Sequence, residues 1–189
     1  MKKIVLFASG NGSNVENIIQ FFKNNTTVSI VGIFCNNPHA KVLERAENHK
    51  IKTTIFNKNE LNGNLVLDKL KQLQPDLIVL AGFLLKFPEN IIKEFPKKII
   101  NIHPALLPKY GGKGMYGMKV HQAVIAAGDT ESGITIHHVN EHYDEGDIIF
   151  QARCSIAMGD TPENLAAKIH ELEYEHFPRV IHNLVAGVQ

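Results

Sequence analysis

The stretch K-I-V-L-F-A-S-G-N-G-S-N, residues 3–14, decides the fold class of this chain. Lys3 to Ala8 is a continuous apolar run, which is the pattern of a strand covered on both faces. A polar turn with two glycines follows, and from Val15 to Lys23 the apolar residues recur at helical spacing. Strand, tight turn and helix in this order predict the first unit of a parallel α/β sheet.

The alternation of strands and helices continues over the rest of the chain. Further strands are predicted at Val28–Cys35, Lys52–Phe56, Leu77–Ala81, Ile99–Ile102, Gly133–Val139 and Asp147–Ala157. Further helices are predicted at Ala40–His49, Leu61–Leu73, Pro88–Phe95, Met118–Ala127 and from the N-cap Thr161 to about Val185. Parallel strands need helical crossovers. The sequence therefore predicts an α/β fold: a single doubly wound, mainly parallel sheet with helices on both faces, Rossmann-like, in one domain over residues 1–189.

Composition places the chain among ordinary soluble globular proteins. Hydrophobic residues make up 44% and charged residues 21% of the 189 residues, and the formal net charge is +1. This charge favours neither a nucleic-acid partner nor an anionic membrane. No stretch approaches the ~18 apolar residues of a membrane-spanning helix. The two cysteines, Cys35 and Cys154, are far apart and are expected to be reduced thiols, so we expect a cytoplasmic protein.

A candidate anion site lies in the turn after the first predicted strand, at Gly10 to Asn14. Ligands of open α/β sheets bind beyond the carboxyl ends of the strands, where the amides of a helix N-terminus stabilise an anion. The turn has neither G-x-G-x-x-G spacing nor the lysine of a P-loop, so a monophosphate ester fits better than a dinucleotide or a nucleoside triphosphate. A tight turn in which Ser13 or Asn14 caps the helix is the structural alternative.

A candidate catalytic site lies at the strand I-I-N-I-H-P, residues 99–104. Asn101 and His103 alternate and therefore share one face, and Pro104 ends the strand. Asp144 lies in the loop between the last two predicted strands. An amide and an imidazolium can stabilise a carbonyl oxygen that gains negative charge, and a carboxylate would raise the pKa of the histidine and accept a proton. A histidine that caps the sheet and an aspartate in a turn are the structural alternatives.

These groups suit the transfer of an acyl group to an amine without a covalent enzyme intermediate, since no G-x-S-x-G nucleophile motif is present. The ten histidines carry no metal signature. H-E-x-x-H is absent, and His137 and His138 are too tightly spaced to chelate one metal ion comfortably. We therefore predict an enzyme without a metal.

Four motifs occur in order along the chain: S-G-N-G-S-N at 9–14, A-G-F at 81–83, N-I-H-P-A-L-L-P-K-Y at 101–110 and Y-D-E-G-D-I-I-F-Q at 143–151. Together they resemble the phosphoribosylglycinamide formyltransferase family, which comprises folate-dependent enzymes of purine synthesis. The N-I-H-P-x-L-L-P element with a downstream D-x-G is specific for enzymes that use formyltetrahydrofolate. G-N-G-S-N narrows the resemblance to members that act on glycinamide ribonucleotide or are related to those that do.

The resemblance implies the transfer of a formyl group from 10-formyltetrahydrofolate to the amine of glycinamide ribonucleotide. In this reaction Asn101 and His103 would stabilise the oxyanion, and Asp144 would keep His103 charged and shuttle the proton. Glycinamide ribonucleotide would be held by Gly12, Ser13, Asn14, Pro104 and Glu173. The folate would be held by Leu84, Leu85, Lys86, Phe87, Asn101, Asn140 and Glu141. Both partners are small molecules, and the enzyme would be a monomer or a homodimer.

Two regions differ from the family pattern. After A-G-F the family commonly has Met-Arg, whereas this chain has Leu84 and Leu85, with Lys86 one place later. The segment G-G-K-G-M-Y-G, residues 111–117, is longer than the usual stretch before the helix that carries His121. Its glycines suggest a flap over the phosphate with Lys113 as a contact, and an ordinary surface loop is the alternative. His121 is expected either near the substrate or in the helix core.

Other members of the wider formyltetrahydrofolate group give alternative functions. A formyltetrahydrofolate hydrolase uses the same catalytic trio with water as acceptor but usually carries an N-terminal regulatory domain. A methionyl-tRNA formyltransferase would need a C-terminal RNA-binding domain and more basic charge. A noncatalytic nucleotide- or folate-binding module would not need Asn101, His103 and Asp144 together. We therefore favour the ribonucleotide formyltransferase.

Overall fold

The computed structural model describes residues 1–187, and in it the strands form one seven-stranded sheet. The strands are β1 (Lys2–Ala8), β2 (Val28–Cys35), β3 (Thr53–Ile55), β4 (Leu77–Leu80), β5 (Ile99–His103), β6 (Glu131–His138) and β7 (Ile148–Ser155). Their order across the sheet is β3-β2-β1-β4-β5-β6-β7. The pairs from β3 to β5 are parallel, and β5 with β6 and β6 with β7 are antiparallel. The predicted α/β fold with a mainly parallel sheet is confirmed.

Helices cover both faces of this sheet, as the alternating pattern predicts. They are α1 (Ser13–Phe22), α2 (Val42–Asn48), α3 (Lys58–Asn62), α4 (Leu65–Leu73), α5 (Glu89–Glu94), α6 (Met118–Ala126) and α7 (Pro162–Ala186). Buried residues of α1, α2, α6 and α7 form the core on one face, and those of α3, α4 and α5 form the core on the other. Within residues 1–187 no helix is long and apolar enough to cross a membrane.

The strand order creates a crevice at the carboxyl end of β1. The chain passes from β1 to β2 on one side, and it later returns to place β4 on the other side of β1. Ligands of open α/β sheets bind at such a reversal of strand order. The turn at Gly10 to Asn14 follows β1 directly, so the topology puts the candidate anion site at this crevice.

The predicted helix Leu61–Leu73 is wrong in one respect, because the structure divides this region into α3 and α4. Asn57 starts α3 early: its Oδ1 accepts hydrogen bonds from the amides of Asn59 at 2.9 Å and Glu60 at 3.0 Å. The Glu60 carboxylate in turn accepts from the Asn57 amide at 2.7 Å, which completes a capping box. Gly63 then ends α3, and α4 begins two residues later.

Candidate active site

The carboxyl ends of β1, β4 and β5 open into a cavity of about 520 Å³. Its walls are formed by the turn after β1, the segment after β4, the end of β5, the loop before α6, and parts of α6 and α7. The predicted site residues that line it are Gly12, Ser13, Asn14, Leu84, Asn101, His103, Pro104, Asp144 and Glu173. The structure therefore brings the candidate anion site and the candidate catalytic site into one cavity.

At one end of the cavity, α1 begins without a side-chain cap. The N-cap residue is Gly12, with a φ of 72° and no capping hydrogen bond, and Ser13 and Asn14 are already helical. The alternative in which Ser13 or Asn14 caps the helix is therefore wrong. The first amides of a helix lack partners within the helix, so this terminus can bind an anion.

Gly12 is required by its surroundings as well as by its backbone conformation. A Cβ at this position would lie 2.5 Å from Cγ2 and 3.0 Å from Cα of Val42 in α2. The neighbouring Asn11 is held by Arg45, whose Nε donates to the Asn11 carbonyl at 2.9 Å. Glu16 lies 3.5 Å from the Arg45 guanidinium. Helix α2 thus fixes the turn from behind.

Glu173 connects this turn to α7. Its side chain is 5% exposed, and its Oε2 accepts hydrogen bonds from Asn14 Nδ2 at 3.0 Å and from His170 Nδ1 at 2.8 Å. Hydrogen bonding to Glu173 raises the pKa of His170, although partial burial opposes this. Asn14 therefore belongs to a buried polar cluster at the wall of the cavity, and its Oδ1 has no partner among the described residues.

At the other end of the cavity, the register of β5 and β6 places two polar side chains together. Asn101 pairs across the sheet with His137, and the Asn101 Nδ2 lies 3.2 Å from His137 Nε2. The His137 Nδ1 lies 2.8 Å from the carbonyl of His138, which can only accept, so Nδ1 donates there and Nε2 faces Asn101 and Asp144. Sequence reasoning left His137 unassigned, since only the antiparallel register reveals this contact.

Asp144 faces both Asn101 and His103 from the loop between β6 and β7. Its Oδ1 lies 3.5 Å from Asn101 Nδ2 and 3.6 Å from His137 Nε2, and its Oδ2 lies 3.6 Å from His103 Nδ1. The side chains of His103 and Asp144 are 4% and 11% exposed. The predicted trio Asn101, His103 and Asp144 therefore meets in the structure.

The charge states of this pair differ from the simple expectation. Burial lowers the pKa of His103, and the Asp144 carboxylate raises it only in part, so the net direction is downward. The Asp144 carboxylate thus acts on His103 in the predicted direction but is outweighed by burial, and its role in holding the ring charged during the reaction stays a prediction. Burial also raises the pKa of Asp144, but the His137 contact, the charge of His103 and the Gly112 amide outweigh it, and this pKa is lowered.

The loop before α6 contacts both members of this pair. We call residues 110–117 the flap. The Tyr110 carbonyl accepts from His103 Nε2 at 2.8 Å, and the Gly112 amide donates to Asp144 Oδ2 at 2.9 Å. Because a carbonyl can only accept, Nε2 of His103 carries the hydrogen, and a further proton would enter at Nδ1, which faces Asp144. Neither contact of the flap was predicted. Both use backbone atoms, which every residue has, so the residue types do not indicate them.

The predicted folate residues are divided between two neighbouring cavities and the surface. Leu84 is 49% exposed at the rim of the large cavity. A smaller cavity of about 70 Å³, next to the large one, is lined by Leu85, Lys86, Phe87, Asn101 and Asn140, among others. Phe87 is also a core residue that packs edge-on against Phe7. Glu141 is exposed and lies outside the lining of both cavities.

Two residues that the sequence left open also line the large cavity. His121 on α6 is buried, and its Nδ1 has no partner among the described residues. Burial lowers its pKa. Lys113 on the flap is exposed and lines the same cavity. In the described part of the chain, no group of three His, Cys, Asp or Glu side chains is placed to hold a metal ion.

Comparison with known proteins gives relatives that agree with one another in name. A family profile described as Formyl transferase matches residues 2–181. The phosphoribosylglycinamide formyltransferase of Bacillus subtilis is 37% identical over 191 residues, which cover 98% of this chain and 95% of the relative. The chloroplastic phosphoribosylglycinamide formyltransferase of Arabidopsis thaliana is 37% identical over 187 residues and 95% of this chain. This chain spans 64% of the length of that plant relative.

A solved structure supports the same relationship. The phosphoribosylglycinamide formyltransferase of Coxiella burnetii superposes with a TM-score of 0.89 at 36% identity, covering 98% of this chain and 88% of that one. The match to the family profile extends over nearly the whole chain. This chain therefore belongs to the formyl transferase family.

Proposed function

We propose that this protein transfers the formyl group of 10-formyltetrahydrofolate to the amine of glycinamide ribonucleotide, in purine synthesis. The observation that carries the proposal is the single cavity that joins Asn101, His103 and Asp144 at one end to the uncapped start of α1 at the other. The acceptor carries its amine and its phosphate on one molecule. A transferase for this acceptor therefore needs an acyl-transfer site and an anion site that are separated by no more than the length of that molecule. The names of the relatives support the same reaction.

The chemical step forms one bond and breaks another. The amine nitrogen attacks the formyl carbon, and the carbon–N10 bond of the folate then breaks, giving formylglycinamide ribonucleotide and tetrahydrofolate. The amine loses one proton and N10 gains one. Asn101 Nδ2 would donate to the oxygen that becomes negative in the tetrahedral intermediate. Once it has taken up a proton at Nδ1, His103 would add a second donor there, because its Nε2 hydrogen is bound to the Tyr110 carbonyl.

Proton transfer is assigned to His103 and Asp144. In the free protein the lowered pKa values leave the ring neutral and the carboxylate ionised at neutral pH. The 3.6 Å separation of His103 Nδ1 and Asp144 Oδ2 is slightly longer than a direct hydrogen bond, so in the free protein the carboxylate acts on the ring through its charge. When the amine proton arrives at Nδ1, the adjacent carboxylate stabilises the imidazolium.

The remaining site residues are assigned by position in the cavity. The amides at Gly12, Ser13 and Asn14 would bind the phosphate, while Glu173 would face the ribose and glycinamide portion, and Pro104 would contact the same substrate. The folate would occupy the neighbouring space lined by Leu84, Leu85, Lys86, Phe87 and Asn140. Glu141, at the surface, would contact the folate outside these walls.

A folate absorbance assay tests the proposal. Purified protein is mixed with 10-formyltetrahydrofolate, with and without glycinamide ribonucleotide, and the formation of tetrahydrofolate is followed. We expect turnover that depends on the ribonucleotide. Equal turnover in its absence would instead indicate a hydrolase, and binding of folate without turnover would indicate a binding module.

Three further predictions from the sequence stay open. They are the single domain over residues 1–189, the monomeric or homodimeric state, and the cytoplasmic location. The plant relative is named as a chloroplastic protein. Residues 188 and 189, at the end of the predicted domain, lie outside the described residues.

A further inference from the structure

The large cavity has an unusual balance of charged side chains. Among the described residues that line it, Lys113 is the one lysine or arginine, whereas Asp144 and Glu173 supply two carboxylates. Of the lining histidines, His103 and His121 have pKa values lowered by burial, whereas the hydrogen bond to Glu173 raises the pKa of His170. A phosphate dianion that enters this cavity therefore meets two carboxylates, one of them paired with His170, and a single lysine ammonium.

The flap that carries Lys113 runs from the catalytic pair to the start of α6. The flap starts at the catalytic pair, where Tyr110 contacts His103 and Gly112 contacts Asp144. It ends at Gly117, the N-cap of α6, and His121 follows one turn later on that helix. His121 lies close enough to Glu173 and His170 to interact with their charges. Lys113 thus lines the cavity on a segment that joins the reaction centre to the helix carrying His121, which interacts with the charge of Glu173.

The residues on either side of Lys113 are glycines with open space around them. Gly112 and Gly114 have φ values of 98° and 91°, and a Cβ on either glycine would meet no heavy atom within 4 Å. The neighbouring lysines are directed elsewhere: Lys109 pairs with Asp129 at 3.4 Å, and the Lys119 ammonium lies 4.8 Å from the centre of the Tyr116 ring. Lys113 is exposed at the cavity wall.

We propose that Lys113 pairs with the phosphate of the acceptor substrate, opposite the amides at the start of α1, and so makes the enzyme selective for a phosphorylated acceptor. The proposal rests on the proposed function and adds a specificity residue to it. The helix terminus contributes only a partial positive charge, about half an elementary charge. A lysine ammonium supplies one full positive charge, which offsets part of the negative charge of Asp144 and Glu173.

The same ammonium could pair instead with a carboxylate of the folate's glutamate tail. The two anions share one chemistry, but they belong to different substrates, so kinetics with each substrate varied in turn separates them. We favour the phosphate because the flap ends at α6, and His121 on α6 interacts with the charge of Glu173. Glu173 in turn accepts a hydrogen bond from Asn14 of the candidate anion site.

The test compares Lys113→Met and Lys113→Arg with the wild type on two acceptors, glycinamide ribonucleotide and its unphosphorylated riboside. We expect Lys113→Met to lower kcat/KM for the ribonucleotide about tenfold or more, mainly through KM, because a charged hydrogen bond is lost. The value for the riboside should stay unchanged, and Lys113→Arg should keep most of the preference. Lys41→Met is the matched control, since Lys41 is an exposed lysine next to α2, outside the cavity lining.

Other outcomes would overturn the proposal. An equal loss on both acceptors, or no loss on either, would show that Lys113 does not contact the phosphate. A selective rise in KM for the polyglutamylated folate would assign Lys113 to the other substrate. Failure of the proposed function is distinguishable, since in that case the wild type itself would not turn over glycinamide ribonucleotide.

Discussion

At the scale of single residues, burial is the largest influence on the protonation state of His103 beside Asp144. A carboxylate next to a histidine usually favours the charged ring. Here the ring is almost fully enclosed, so burial lowers the pKa of His103 despite Asp144. The free protein therefore holds a neutral ring next to an ionised carboxylate. Under the proposed function, the ring accepts the proton that the attacking amine loses.

The substitution Asp144→Asn tests this division of roles. Asp144 has a φ of 57°, in the left-handed region that asparagine tolerates better than most residues, so the loop should keep its shape. We expect kcat to fall about a hundredfold to ten-thousandfold, the usual range for a lost acid–base group. Substrate affinity, measured by titration calorimetry, should change little. An activity within a factor of three of the wild type would contradict the assigned role.

The sequence predicts the membership of the catalytic trio but not its surroundings. Asn101 and His103 share a strand face, which period-two alternation makes evident. The contact of Asn101 with His137 depends on the register of two antiparallel strands, which the sequence does not specify. The hydrogen bond from His103 to Tyr110 ends on a backbone carbonyl, and the degree of enclosure that sets the pKa of His103 depends on the whole fold.

At the scale of elements, the turn between β1 and α1 is shaped by the helix behind it. The terminus of α1 stays open because Gly12, rather than a capping side chain, begins the helix. Val42 and Arg45, both on α2, contact the turn through Gly12 and Asn11. The candidate anion site thus depends on two helices, α1 and α2. The sequence of the turn indicates the start of α1 but not the contacts from α2.

Substitution Gly12→Ala tests how tightly this turn is held. The added methyl group would lie 2.5 Å from Cγ2 of Val42, and the alanine would have to keep the positive φ of the glycine. Overpacking of this kind costs about 1–3 kcal/mol, so we expect a lower urea midpoint and a higher KM for the ribonucleotide. Gly10→Ala is the control for stability, since a Cβ there meets nothing within 4 Å. Equal stability of the two variants would show that α2 does not constrain the turn.

The elements themselves follow closely from the sequence, apart from local capping. Continuous apolar runs predict the buried strands, and the N-cap Thr161 with the following proline predicts the start of α7. The region of α3 and α4 was predicted as one helix, because the apolar spacing continues through Gly63. The capping box at Asn57 and Glu60 is visible in the sequence and could have indicated the earlier start.

At the scale of the whole molecule, buried histidines link stability to pH. Burial lowers the pKa values of His103, His121 and His138, so the unfolded chain binds more protons than the folded one below their ordinary pKa of about 6.5. These three histidines therefore lower the free energy of unfolding as the pH falls. His170 acts in the opposite direction, because its raised pKa stabilises the fold at low pH and this contribution is lost as pH rises.

We therefore expect the urea midpoint to fall between pH 7 and pH 5, where His103, His121 and His138 lose stability on acidification and His170 alone among these four opposes them. The lowered pKa of Asp144 adds to the loss further down, as the pH falls through its folded value. His121→Leu should flatten the pH dependence, because it removes a buried ring whose Nδ1 has no partner among the described residues. A midpoint that is constant or rises on acidification would rule out this explanation.

The fold as a whole is the level at which the sequence predicts least directly. Alternating strands and helices predict a doubly wound sheet, but the position of β4 beside β1, which creates the crevice, comes only from the strand order. The same order brings two separate motifs, 101–103 and 10–14, into one cavity. That meeting connects the acyl-transfer chemistry with the anion site.

The most direct measurement follows the formyl carbon itself. The protein is incubated with 10-formyltetrahydrofolate labelled with ¹³C at the formyl group, together with glycinamide ribonucleotide, and the products are identified by NMR. We predict that the label appears in formylglycinamide ribonucleotide in step with tetrahydrofolate formation, and that Asp144→Asn slows both equally. Label that appears as formate would contradict formyl transfer to the amine and would make water the acceptor.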